Sequence, residues 1–191
     1  MSLKTKVKAG NITNLSDARY CAGMGVDWLS FPADAVDPTT FKEITSWVTG
    51  PQFVLEVTEA TTLNSIDQYQ VSTLEITYKQ LSLIDRLPSM EWIITLPLSV
   101  WNEQKHEIIR IKDSISFLVL DLDIADLQDV TDMAAHFKIL INQPDTHSLA
   151  DILTLPLEGI SINVAGENEL KPGLKDFERL ASILEELEVL D

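Results

Sequence analysis

Residues 6–31 read KVKAGNITNLSDARYCAGMGVDWLSF, and the alternation in this stretch decides the fold. The short run Lys6–Gly10 predicts a strand, the segment that begins near Ser16 predicts a helix, and Trp28–Phe31 predicts a second strand. A strand, a helix and a further strand at this spacing are typical of a βαβ unit, whose two strands run parallel. The stretch therefore indicates an α/β fold.

The same alternation continues to the end of the chain. Further helices are predicted to begin near Pro38, Thr62, Tyr78, Asn102, Ile124, Thr146 and Lys175. Further strands are predicted at Phe53–Thr58, Thr73–Thr77, Trp92–Leu96, Ser116–Leu122, Lys138–Asn142 and Gly159–Val164.

Eight units of this kind predict a compact (β/α)8 TIM barrel that forms a single domain over residues 1–191. The strands are nearly continuous apolar runs, which is typical of parallel strands covered by helices. Dividing 191 residues by eight leaves about 24 per unit, so helices and loops must be short. An open doubly wound sheet fits the same pattern if one or two predicted strands are wrong.

At one helix start, Asp37 before Pro38 predicts a side-chain cap followed by proline at the first helical position.

Composition excludes several classes of function. With 30 acidic and 14 basic side chains, the formal net charge is −16, which argues against nucleic-acid and anionic-membrane partners. We expect a cytoplasmic protein, because Met1–Lys4 lack the apolar start of a signal peptide and no run approaches the roughly 18 apolar residues of a membrane span. Cys21 is the one cysteine, and the histidines His106, His136 and His147 lack partners at ligand spacing. We therefore expect neither a metal nor another cofactor.

Both ends of the chain contain recognisable motifs. Residues 8–14 read KAGNITN, and Asp17-Ala18 and then GVDWLSF at 25–31 follow them. Near the other end stand Gly166-Glu167 and then PGLKD at 172–176. In the same order, the phosphoribosylanthranilate isomerase family of tryptophan biosynthesis has K-I-C-G-I-T, D-A, G-A-D-x-x-G-F and G-V-E-x-x-P-G-x-K-D. Over roughly the first 30 and the last 30 residues, the chain resembles this family.

The resemblance implies a (β/α)8 barrel and an isomerase activity. The family performs an Amadori rearrangement of N-(5-phosphoribosyl)anthranilate, in which a general acid opens the ribose ring and a general base removes the C2 proton. It implies a sugar phosphate as the small-molecule ligand and no cofactor. Because the family contains monomers and dimers, the oligomeric state is not predicted.

The catalytic positions of the family are only partly matched. Gly10 stands where the family has its basic cysteine and Asn11 where it has glycine, and neither side chain can remove a proton. Cys21 lies in the following helix, where we expect a small buried apolar residue rather than a displaced base. Asp121 matches the aspartate that is the family's general acid, and partial burial would raise its pKa enough to donate a proton near neutrality. Alternatively, Lys8 neutralises Asp121 in a structural ion pair, since Lys8 and Gly10 share a strand face.

The family's phosphate loops are largely missing. The seventh strand ends in Asn142-Gln143-Pro144, and proline removes a backbone donor. The basic segment that follows the family's second strand is replaced by residues 32–37, PADAVD, so a doubly anionic substrate would meet aspartates instead of an arginine. The candidate residues for contact with a substrate are Lys8, Asn11, Asn142, Asn163 and Gly166.

Two glutamates interrupt apolar strands. Because an unpaired carboxylate in an apolar environment is costly, Glu56 and Glu75 must face a polar interior, pair with a lysine, or stand at half-exposed strand ends. We expect the half-exposed strand ends; the alternative is that both glutamates are remnants of a pocket lining.

Two hypotheses of different classes follow. In the first, the chain is a phosphoribosylanthranilate isomerase-like enzyme that retains some activity, impaired by the loss of the base at Gly10, with Asp121 as the acid and with Lys8 or a bound water as the base. In the second, it is a diverged, non-catalytic barrel that binds a small ligand or a protein partner.

Overall fold

The computed structural model describes residues 3–58, 61, 63–121, 127–142, 149–164, 169–171, 174–175 and 178–189. Within these residues, eight parallel strands close into a barrel in the order in which they follow one another along the chain. The strands are β1 (Lys6–Gly10), β2 (Trp28–Pro32), β3 (Gln52–Glu56), β4 (Thr73–Thr77), β5 (Glu91–Pro97), β6 (Ile115–Asp121), β7 (Ile139–Asn142) and β8 (Gly159–Asn163).

The predicted (β/α)8 barrel is therefore confirmed. The open doubly wound sheet is wrong, because β1 pairs with β8 over five residues, from Lys6 opposite Gly159 to Gly10 opposite Asn163. The bounds of β1 and β4 are as predicted, and the ends of the other strands differ from the predicted ones by at most two residues, which is the usual uncertainty of boundaries read from a sequence.

Helices separate most of these strands. A 3₁₀ helix, Tyr78–Arg86, connects β4 to β5. A short second 3₁₀ helix, Lys112–Ser114, precedes β6. The α-helices are α1 (Leu15–Gly23), α2 (Pro38–Ser46), α3 (Leu63–Ile66), α4 (Leu98–Arg110), α5 (Leu127–Ala134), α6 (Leu149–Ile152) and α7 (Glu178–Leu187).

Two predicted helix starts are wrong. Helix α4 begins at Leu98 rather than near Asn102, because Leu98 and Trp101 are buried and extend its apolar face by one turn. Lys175 lies in a strand, β10 (Leu174–Lys175), which pairs antiparallel with β9 (Glu169–Lys171). The starts predicted near Ile124 and Thr146 lie outside the described residues.

The predicted cap of α2 is confirmed. The Asp37 carboxylate accepts hydrogen bonds from the backbone N–H groups of Thr39 at 2.9 Å and Thr40 at 3.2 Å, and Pro38 follows it at the first helical position. Hydrogen bonds from the Thr40 hydroxyl and then from these N–H groups lower the pKa of Asp37 below its ordinary value. The cap fixes where the chain turns from the end of β2 into its helix.

Apolar side chains form two separate layers. The larger layer lies between the barrel and its helices and includes the fully buried Cys21, as predicted for a small apolar residue. No helix among the described residues has the length and apolar character needed to span a membrane. A smaller apolar cluster forms apart from the larger layer and consists of Trp28, Val54, Ile93, Phe117, Val119 and Leu140.

This smaller cluster determines where polar groups enter the barrel. Since side chains along a strand alternate between the two faces, the residues two positions after Trp28, Val54 and Ile93 point into the same interior. Those residues are Ser30, Glu56 and Thr95. The barrel interior is therefore apolar towards the amino ends of the strands and polar towards their carboxyl ends.

We predict that Gly159→Ala destabilises the protein by about 1–3 kcal/mol or more, because strand closure leaves no room at this position. A β-carbon at Gly159 would overlap the backbone carbonyl oxygen of Lys6 on the paired strand β1. The matched control is Gly23→Ala at the end of α1, where a β-carbon would meet no atom within 4 Å and stability should stay equal or rise by up to about 1 kcal/mol. Urea unfolding followed by circular dichroism measures both, and equal stability of the two variants would contradict a tight β1–β8 seam.

Candidate functional site

A cavity of about 580 Å³ opens at the carboxyl ends of β3 to β6. Strand-end side chains line it, among them Glu56, Glu75, Thr95 and Asp121, together with the 3₁₀ helix that begins at Tyr78. In parallel barrels the carboxyl ends of all strands meet at one mouth, which is where reactive groups are found. We call this space the mouth cavity.

A second cavity, of about 490 Å³, lies at the opposite end of the barrel. Its lining includes Gln52, Thr73 and Glu91, which are the first residues of β3, β4 and β5. Residues at the amino-terminal face of such barrels serve stability rather than chemistry. The mouth cavity is therefore the candidate site.

Lys8 lies inside the barrel and is only 1% exposed. Its Nζ stands 2.8 Å from Oε2 of Glu75 and donates a hydrogen bond to Oγ of Ser30 at 3.1 Å. The predicted ion pair of Lys8 with Asp121 is therefore wrong. Lys8 stands in the middle of β1, whereas Asp121 is the last residue of β6, so Lys8 meets the carboxylate that lies deeper in the barrel.

Glu56 accepts two hydrogen bonds on the same oxygen, Oε1. One comes from the backbone N–H of Asn11 at 2.8 Å, and the other is a short bond from the hydroxyl of Ser30. Asn11 has φ of 60°, in the left-handed region that asparagine tolerates better than most residues. The structure therefore brings Asn11 to the site through its backbone N–H.

Burial raises the pKa of Glu56 above its ordinary value, and the nearby charge of Glu75 raises it further. Lys8 and the hydrogen bonds from Ser30 and Asn11 act in the opposite direction without cancelling this rise. One ammonium thus faces two carboxylates, so one carboxylate is neutralised and the other retains a proton to higher pH. Such a pair can give or take a proton, which is the basic requirement of general acid–base chemistry.

Glu75 completes the cluster. Its side chain is 12% exposed, and its Oε1 accepts a hydrogen bond from Oγ1 of Thr95 at 3.0 Å. The expectation of half-exposed strand ends holds in part: Glu56 is the last residue of β3 and is half-buried, whereas Glu75 stands in the middle of β4. The alternative, a polar interior with a lysine partner, is correct for Glu75, which pairs with Lys8, while Glu56 is joined to Lys8 through the hydroxyl of Ser30.

Sequence reasoning missed this cluster as a site. The sequence does contain a signal for it: on several strands a polar residue follows an apolar residue of the same strand face by two positions, as Ser30, Glu56 and Thr95 do. We call the cluster the interior polar layer; its members are Lys8, Ser30, Glu56, Glu75 and Thr95.

Asp121 stands at the outer edge of the site. Its side chain is exposed, and Nδ2 of Asn142 donates a hydrogen bond to its Oδ1 at 2.7 Å. The expected partial burial of Asp121 is wrong, because β6 ends at this residue and its carboxylate lies beyond the enclosed part of the barrel. Asp121 nevertheless lines the same cavity as Glu56 and Glu75.

The position of Gly10 is crowded although glycine has no side chain. A β-carbon there would lie 3.3 Å from both Oε1 of Glu56 and Nζ of Lys8, and it would overlap Oδ1 of Asn163. Gly10 and Lys8 therefore share the interior face, as predicted. Gly166, the remaining predicted contact residue, lies outside the described residues.

Carboxylates outnumber cations on the wall of the mouth cavity. Glu56, Glu75 and Asp121 line it, and the lysine that also lines it, Lys79, lies with Nζ 5.9 Å from the ring centre of Tyr78. A ligand with two anionic groups would meet repulsion from these carboxylates.

Among the described residues, no three histidine, cysteine, aspartate or glutamate side chains are grouped to hold a metal ion.

Several solved structures share this fold. A phosphoribosyl anthranilate isomerase in complex with reduced 1-(o-carboxyphenylamino)-1-deoxyribulose 5-phosphate is 14% identical, with a TM-score of 0.74 over 95% of this chain and 97% of that one. The phosphoribosyl anthranilate isomerase from Thermus thermophilus is 17% identical, with a TM-score of 0.70 over 95% and 98% of the two chains.

A truncated 3-deoxy-D-arabino-heptulosonate 7-phosphate synthase from Thermotoga maritima is 15% identical, with a TM-score of 0.66 over 95% of this chain and 84% of that one. Neither protein-family models nor curated protein sequences give a match. The structural likeness shows the fold, and that fold is shared with the isomerases that the two ends of the chain resemble.

We predict that Lys8→Met destabilises the protein by about 3–5 kcal/mol at neutral pH, because it leaves the largely enclosed carboxylate of Glu75 without its counter-ion and removes the positive charge near Glu56. Lys6→Met is the matched control, since Lys6 belongs to the same strand, is 46% exposed and pairs with Glu158 at the opposite end of the barrel. It should change stability by less than about 1 kcal/mol. Chemical denaturation measures both, and equal losses would show that Lys8 does not stabilise the interior polar layer.

We also predict that Glu56→Gln becomes more stable relative to the wild type as pH rises. The pKa of Glu56 is raised in the folded state, so folding favours its protonated form. The stability that this provides is fully present below the ordinary pKa of the carboxyl and is lost as pH rises through the folded-state pKa. Urea unfolding of both proteins between about pH 5 and about pH 8 should therefore show a difference that grows in favour of Gln. A constant difference, or one of opposite slope, would contradict the raised pKa.

Proposed function

We propose that this chain is a diverged phosphoribosylanthranilate isomerase-like protein whose mouth cavity binds a small polar molecule, and that it has lost the ordinary rearrangement of N-(5-phosphoribosyl)anthranilate. Membership of the family is supported by the motifs at both ends of the chain and by the shared fold. The single buried Cys21 fits a cytoplasmic location.

The main support for the lost activity is the surroundings of Gly10. The family's base would project from this position, yet the space beside it is taken by Glu56, Lys8 and Asn163. The ammonium of Lys8 is paired with Glu75, so it does not attract an anionic substrate as an isolated charge would. The site has therefore been rebuilt around a buried ion pair.

Hydroxyl and amide groups support a polar ligand without phosphate. Thr58, Thr77, Gln80 and Thr95 line the mouth cavity alongside the three carboxylates. Such groups donate and accept hydrogen bonds, which suits the hydroxyls of a neutral, sugar-like molecule.

A second candidate function is a retained isomerase, and the position of Asp121 favours it. The family's general acid matches this residue, and Asp121 lines the same cavity as Glu56. Activity would then depend on Asp121 and on a base other than the residue at position 10.

We predict that the chain fails to restore growth of a tryptophan auxotroph that lacks the isomerase, and that Gly10→Cys fails as well. The added β-carbon would overlap Asn163, and the carboxylates of the mouth cavity would still repel the doubly anionic substrate. An authentic isomerase expressed from the same vector is the positive control. Thermal unfolding shows that the Gly10→Cys protein is folded.

Growth with the wild-type chain would contradict the proposed loss of activity, and loss of that growth in Asp121→Ala would establish the second candidate. Growth with Gly10→Cys alone would show that the missing base, rather than the cavity wall, is the obstacle. In a direct binding measurement, the reduced carboxyphenylamino-deoxyribulose 5-phosphate should bind at least about a hundredfold more weakly than to the authentic isomerase, which corresponds to about 2.7 kcal/mol.

A further inference from the structure

We propose that Glu56 exchanges a proton with a carbon atom of the molecule bound in the mouth cavity, and that this molecule is a small, unphosphorylated hydroxycarbonyl compound. The inference rests on the proposed function, which locates a small polar ligand in this cavity. It adds a reaction and a catalytic residue to that function.

The position of Glu56 is the first support. Glu56 ends β3 and lines the mouth cavity, so its carboxylate can contact a bound molecule. Both of its hydrogen bonds, from Asn11 and Ser30, reach Oε1 and hold the carboxylate in place. Oε1 lies 3.3 Å from the point where a β-carbon of residue 10 would stand. Glycine at position 10 therefore leaves the room that the carboxylate of Glu56 uses.

The groups that face Glu56 support proton exchange. Lys8 on β1 is a cation, Ser30 on β2 is a hydroxyl donor, and Glu75 on β4 is a second carboxylate. Asp121 on β6 lines the same cavity farther out. Because the ammonium of Lys8 pairs with Glu75 and its charge also acts on Glu56, Glu56 can hold or release a proton without leaving the interior with an unbalanced double charge. Burial and the charge of Glu75 raise the pKa of Glu56, which moves this exchange towards neutral pH.

The chemistry of a carboxylate base determines the class of substrate. In a small polyhydroxylated molecule, the C–H bond that a carboxylate can break is one next to a carbonyl, because the carbonyl oxygen takes up the negative charge. In the forward step the proton passes to Glu56, the C–H electron pair becomes a carbon–carbon double bond, and the carbonyl π pair moves to oxygen. The resulting enolate oxygen accepts a hydrogen bond from the Gln80 amide in the cavity wall, which donates one N–H to Val57 and has a second N–H to give. Return of a proton from Glu56 to carbon restores the carbonyl compound, so no oxidant or reductant is required.

The residues that line the mouth cavity indicate that the substrate is hydroxylated, unphosphorylated and small. Thr58, Thr77 and Gln80 offer hydrogen bonds to hydroxyl groups of a substrate. The carboxylates of Glu75 and Asp121 disfavour a phosphate. A polyhydroxylated carbonyl compound of three to five carbons, roughly the size that a cavity of about 580 Å³ accepts with room to spare, meets both conditions.

The test measures deuterium incorporation into dihydroxyacetone in D₂O by proton NMR. We expect the wild-type protein to accelerate the exchange, and Glu56→Gln to lower the rate by about a hundredfold. Glu91→Gln is the matched control, because Glu91 is exposed and begins β5 at the opposite end of the barrel, so its exchange rate should equal that of the wild type. Glu56→Asp retains the carboxyl group one methylene farther back and should recover part of the rate. Thermal unfolding shows that each variant is folded.

A pH profile separates catalysis from a structural role. The exchange rate of the wild type should rise with pH as Glu56 loses its proton. Glu75 is a positioning residue, and Glu75→Gln removes a charge that raises the pKa of Glu56, so the rise should move to lower pH. A merely structural effect of Glu75→Gln would change the rate without moving the profile.

Saturation-transfer NMR with the same dihydroxyacetone separates failure of this inference from failure of the proposed function. Binding with equal exchange by the wild type and Glu56→Gln would overturn the role of Glu56 and leave the proposed binding function in place. Exchange that is equal in wild type and buffer, without binding, would overturn the ligand class and the proposed function together.

Discussion

The buried ion pair between Lys8 and Glu75 is the interaction on which the carboxyl-terminal half of the barrel depends. Removing an ammonium and a carboxylate from water is expensive, and the pair persists only where further hydrogen bonds satisfy both groups. Ser30 and Thr95 supply such bonds from two other strands. The presence of Lys8 in the interior therefore requires polar residues on β2, β4 and β5 at a similar depth in the barrel.

The same constraint extends from the interior to the mouth. Ser30 links Lys8 to Glu56, and Glu56 in turn holds the backbone N–H of Asn11 just after β1. The loop after β1 thus takes its left-handed turn where a carboxylate receives its N–H. Glycine at position 10 belongs to this arrangement, since a larger residue would compete with Glu56, Lys8 and Asn163 for the same space. The motif on β1 that resembles the isomerase family is therefore part of this polar network.

A (β/α)8 barrel accommodates such a change easily. Its stability comes from the apolar layers below the mouth and around the strands, whereas its chemistry depends on a few side chains at the strand ends. Here the backbone matches those of two phosphoribosyl anthranilate isomerases with TM-scores of 0.74 and 0.70 at 14% and 17% identity, while carboxylates of Glu56, Glu75 and Asp121 line the mouth cavity. Likeness of fold and difference of site are therefore compatible, and the site has to be judged from its own residues.

The sequence by itself determined the barrel, the capped start of α2 at Asp37, the burial of Cys21 and the common face of Lys8 and Gly10. All four depend on neighbours along the chain: the alternation of strands and helices, the period of two along a strand, and hydrogen bonds within one helical turn. Only the tertiary structure decided that Lys8 pairs with Glu75 rather than with Asp121, that Glu56 is enclosed, and that Lys175 belongs to a strand. The partner of a side chain inside a barrel depends on the stagger between strands far apart in sequence and on the depth at which each side chain stands. Local sequence patterns give neither the stagger between strands nor the depth of a side chain. The interior polar layer is therefore recognisable only in the closed barrel.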